Sequence, residues 1–176
     1  MAGLFRKVNL RSTLVTGLIA GTAFSIPVYF YISDARYRDS WLLYLGSFLF
    51  FLVIWMHTLI DSRKRAHNES TVALIFASHM ATLAGIVVAC VLSFILLNWL
   101  IPGYLSSPTP GKTMTGEPSN VDIDKTNGLS FQVFLAATFI NFSVGSFSSI
   151  ILPFAAKRNQ KHDRKDPAPL HQQGTK

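Results

Sequence analysis

Four stretches of the chain contain no Asp, Glu, Lys or Arg at all: Ser12 to Ser33, Ser40 to Ile60, Ser70 to Gly111 and Leu129 to Ala156. Trimming their polar ends leaves apolar segments near 12–32, 41–60, 74–101 and 129–154, each with the roughly 20 residues that cross about 30 Å of hydrocarbon as a helix. In the second, Leu, Ile, Phe and Val fill 12 of 20 positions. At about −0.3 to −0.6 kcal/mol apiece on the insertion scale, that is roughly −4 to −7 kcal/mol in favour of the membrane. The expected fold class is an all-α integral membrane protein, four transmembrane helices in an antiparallel up-down bundle over 12–156.

The charged residues fit the same frame. The net charge of +7 does not indicate nucleic-acid binding, which needs basic residues gathered on a surface with stacking aromatics nearby. Here Lys and Arg flank the apolar runs and the aromatics lie inside them. Arg6, Lys7 and Arg11, then Arg63, Lys64 and Arg65, then the six Lys and Arg of the tail place 12 of the 16 basic residues on one side of a four-span layout. Arg36, Arg38, Lys112 and Lys125 fall on the other. The positive-inside bias puts residues 1–11, the turn after span two and the tail 157–176 in the cytoplasm. It also suits them to anionic lipid head groups, at about 1 kcal/mol per juxtamembrane base. Tyr29, Tyr31, Tyr37, Trp41 and Tyr44 at the first external turn, and Trp99 and Tyr104 after span three, match the aromatic preference for the head-group level. Span one is too long for a signal h-region and no A-x-A-like cleavage site follows it, so it reads as a retained helix. The external segment 102–128 and the tail are rich in Pro, Gly and polar residues, a composition that does not bury a core.

Small or compact polar residues recur at four-residue spacing in three spans: Thr13, Gly17, Gly21 and Ser25; Ala77, Ala81, Gly85, Ala89 and Ser93; Ala137, Asn141, Gly145 and Ser149. Residues four apart share one helix face, and small ones let another backbone approach. Span two, with only Gly46 and Ser47 small, is expected to pack outside a core of spans one, three and four. Pro27 is expected to kink span one, and Pro153 to end span four.

Ionisable residues inside the hydrocarbon are natural site candidates, and the spans hold none that is acidic or permanently basic. That argues against ion-coupled transport through a buried carboxylate and against a voltage sensor. His57, His79, Asn98 and Asn141 are the polar candidates. His57, Asp61 and His79, with His67 and Glu69 in the loop, are the residues that could converge as metal ligands, although the spacing matches no compact motif. Without such a motif no metal is assigned. Asn141 is expected to hydrogen-bond another helix. Asp122 to Gly128 fails as a calcium loop, because Asn127 stands where the turn glycine is required and Val133 where the bidentate Glu belongs. The lone Cys90 excludes an internal disulfide.

With TGLIAG in span one, the basic turn DSRKRAHNES, a long span three and Gly-Leu-Ser-Phe opening span four, the layout resembles a family of four-span bacterial membrane proteins of unknown function. The resemblance implies a bacterial inner membrane and transfers no site. No residue pattern of a known reaction or cofactor is present. The expected role is therefore a non-enzymatic structural or accessory subunit acting through helix packing, alone, as a homo-oligomer or with a membrane-complex partner. The alternative is a small transporter or channel with its pathway in the bundle or between subunits, for which a polar cavity reaching the midplane near Asn141 would be the mark.

Overall fold

The computed structural model describes residues 9–65, 70–101, 103–105 and 128–163, and among them every regular element is helical. Helix α1 covers Leu10–Asp34, a 3₁₀ turn covers Tyr37–Ser40, α2 covers Trp41–Arg65 and α3 covers Thr71–Leu100. The last rod consists of α4 (Leu129–Leu135), a π turn (Ala136–Ile140) and α5 (Asn141–Asp163). Among the described residues four helical rods are thus long and apolar enough to cross a membrane, as a multi-pass helical membrane protein requires.

Local chemistry sets the helix ends. The Asn9 side chain accepts from the Ser12 amide at the start of α1, and Ser70 Oγ accepts from the Ala73 amide at the start of α3. Both are N-cap contacts that satisfy otherwise unpaired donors. Ala35 closes α1 in the left-handed region (φ 49°), its amide bonded to the Tyr31 carbonyl. Gly128, at φ 84°, opens α4 from a conformation that a side chain rarely adopts. Helix α2 runs past the apolar segment through Arg63, Lys64 and Arg65, where cations favour a helix C-terminus, and Asp61 pairs with Arg65 one turn on at 2.9 Å. Two expectations about the last span change. Pro153 does not end it, because the helix continues to Asp163, and the first residues of the basic tail are therefore helical. The proline removes only the one amide that would bond the Ser149 carbonyl. Helix α1 likewise continues through Pro27.

In cross-section, α1 packs most extensively on α3 and next on α2, and α5 packs on both α2 and α3. Helices α2 and α3 touch along a narrower diagonal, and α1 shares no extensive interface with α5. Span two is therefore not outside the core, contrary to the sequence expectation. It has a four-spaced face of its own, Gly46, Phe50, Ile54, Thr58 and Ser62, all buried. A Cβ on Gly46 would come within 2.9 Å of the Phe24 carbonyl oxygen, and the Phe50 ring occupies the space that a Gly85 side chain would need. The bulky residues of α2 fill the hollow that the small residues of α1 and α3 leave.

Candidate functional site

The best-defined constellation is the set of small-residue faces. Gly17 and Gly21 lie against Ala84, Gly85, Val88 and Ala89, and a Cβ at Gly17 would be 2.7 Å from the Ala84 Cβ and 2.8 Å from the Gly85 nitrogen. Each step of four on α1 meets a step of four on α3, the register in which two i±4 ridges interlock. Ala77, Ala81 and Ala89 are buried on the same α3 face. On the other side of α3, Gly145 accepts the Thr82 side chain inside the space of its missing Cβ. Backbones brought this close gain dispersion contacts, the principal attraction available between helices in lipid.

The ionisable candidates do not converge. His57 Nδ1 is 2.9 Å from Thr16 Oγ1 on α1, Asp61 is engaged by Arg65, and His79 Nδ1 lies 3.0 Å from the Ile75 carbonyl of its own helix. Among the described residues no group of three or more His, Cys, Asp or Glu is placed to hold a metal ion. His67 and Glu69 lie outside the described residues, as do Asn68, 106–127 and 164–176. Asn141 is fully buried, but its amide donates to the Ala137 carbonyl of its own helical rod, so the expected bond to another helix is not made. Its Oδ1 has no protein partner. The reason is local: the donor reaches back one turn, the route other hydroxyl and amide side chains in helices take.

Three features escaped the sequence. Tyr31, fully buried on α1, donates to Gln132 Oε1 on α4 at 2.6 Å, linking two rods that otherwise hardly touch. Thr16 and His57 link α1 to α2. The third is a lateral cavity of about 510 Å³ between α2 and the last rod, lined by Tyr44, Ser47, Phe48, Phe51, Ile140 and Phe147 among others. Its walls are nearly all apolar, and Ile140, the last residue of the π turn, is one of them. Polar residues on otherwise apolar helices, Thr16, Thr58 and Gln132 among them, were the available signal.

No family model, curated protein or solved structure matches the chain.

Proposed function

We infer that the chain is a non-enzymatic structural or accessory subunit of a bacterial inner membrane, an up-and-down antiparallel bundle with both termini in the cytoplasm, acting through helix packing. The observation that carries this reading is the closely packed interior at Asn141. That residue is fully buried on the α5 face that continues through Gly145, whereas the cavity beside α2 is lateral and apolar. A transport pathway calls for the reverse, a polar cavity at the midplane.

Contact pairs support the alternation of direction. Thr16 meets His57 and Phe24 meets Gly46, so α1 and α2 run opposite ways; Gly17 meets Ala84 and Gly21 meets Val88, so α1 and α3 run the same way. Tyr31 meets Gln132 and Thr82 meets Ser149, which supports a last rod running with α2; Arg11, Arg63, Lys64, Lys157 and Arg158 then share one end of the bundle, an end that suits anionic head groups. Purification in mild detergent from the native membrane, with mass and partner identification, tests the role. A stable stoichiometric complex or homo-oligomer is expected, and solute flux by the isolated protein in vesicles overturns it. Glycosylation at Asn68 in microsomes overturns the orientation alone.

A further inference from the structure

Several hydroxyls in this bundle close back on their own helix: Ser25 donates to the Gly21 carbonyl, Thr82 to Ser78, Ser143 to Phe139 and Ser148 to Gly145. Thr58 and Ser62 do not. They lie one turn apart on the inward face of α2, 0% and 1% exposed, and neither hydroxyl has a protein partner. Among the buried atoms without partners, these two come as a pair on successive turns of one helix face.

The register shows what they face. The Phe50 ring sits over Gly85. From that contact α2 runs eight residues on to Thr58, and α3, in the opposite direction, runs seven residues back to Ser78. Both distances are about 11 to 12 Å at 1.5 Å per residue, so Thr58 comes level with Ser78, which is 2% exposed. About one turn nearer the middle, Thr82 and Ser149, both 0% exposed, have hydroxyl oxygens 3.5 Å apart. By this register buried hydroxyls of α2, α3 and α5 stand at neighbouring levels toward the Arg63–Arg65 end, while α2 and α3 share only a narrow interface.

Buried polar groups are almost always hydrogen-bonded, and buried water commonly supplies the missing partner where two to four polar groups can hold it. We propose that this end of the bundle contains a built water site, in which Thr58 and Ser62 are joined through ordered water to Ser78, Thr82 and Ser149. The site ties α2 to α3 and α5 without direct side-chain bonds, and it needs no charged group.

The test is water-to-protein magnetisation transfer by solid-state NMR on the full labelled chain in bilayers. Thr58 and Ser78 should receive water magnetisation several-fold faster than Ile54 and Phe50, and in Thr58→Val/Ser62→Ala the Ser78 transfer should fall to the Ile54 rate. Transfer to Thr58 as slow as to Ile54 in the unmodified chain overturns the proposal. Thermal melting gives an independent sign. Thr58→Val removes a water-bridged hydroxyl and lowers the melting temperature if the site exists. If the hydroxyl is simply unsatisfied, an apolar group of similar shape raises it, and that result also overturns the proposal.

Discussion

A single methyl group decides whether α1 and α3 fit. Gly17→Ala places a Cβ 2.7 to 2.9 Å from Ala84 and the Gly85 backbone, where no flexible side-chain tip is available to move aside. Overpacking of this kind costs about 1 to 3 kcal/mol, so Gly17→Ala should lower the detergent melting temperature and Gly17→Leu should lower it further. Gly145→Ala meets Thr82, whose β-branched side chain has few rotamers to escape into, and a loss of similar size is expected. The Tyr31–Gln132 bond belongs to the same scale. Tyr31→Phe and Gln132→Leu, measured singly and together, should show a coupling of about 0.6 kcal/mol and no more than about 1.7, the range for hydrogen bonds between membrane helices. Near-zero coupling would assign Tyr31 to packing alone. Such residues show how far the sequence could be read. The four-spaced small residues of three spans were visible because periodicity is a property of one helix. The pairing of Tyr31 with Gln132, or Thr16 with His57, depends on two helices and so is not written in either.

The π turn acts at the level of the element. A helix advances 100° per residue at 3.6 residues per turn, so residues repeated strictly every four drift sideways by about 40° per step. A π turn winds more slowly and takes up one extra residue. It thereby keeps Val133 and Ala137 buried on the face that Asn141, Gly145 and Ser149 continue. Deleting exposed Thr138 should therefore convert the turn to ordinary helix and leave the melting temperature nearly unchanged. Deleting exposed Phe142, beyond the turn, should rotate Gly145 and Ser149 by about 100° out of their interface and unfold the bundle. Equal effects of the two deletions would show that the π turn does not absorb the extra residue. Nothing in the composition of Ala136–Ile140 signals this winding. Helix α2 teaches a related lesson. Its bulk suggested an outer position because small residues were taken as the sign of burial, yet Phe50 and Ile54 are fully buried and the Phe50 ring fills the space beside Gly85.

For the whole molecule, the four spans were legible from charge exclusion together with apolar length, since a helix of about 20 apolar residues satisfies its own backbone across lipid. Which spans touch was not, because each rod offers more than one plausible face. The observed arrangement gives a direct check: Gly17→Ala and Ala84→Gly, measured singly and together, should be coupled in their effect on the melting temperature, the second relieving part of the clash that the first creates. Additive effects of the two substitutions would overturn the α1–α3 register.

The short connection between α1 and α2, two residues and a single 3₁₀ turn, also has a meaning in time. Chains are made from the amino terminus and fold in that order where they can. The first two helices can close on each other through Phe24 on Gly46, and Thr16 on His57, while the rest is still being synthesised. The cleft they present, floored by Gly17 and Gly21, is then a finished template into which the third helix is threaded as it emerges. Errors in biogenesis should accordingly be most damaging before residue 70, when that template is being laid down.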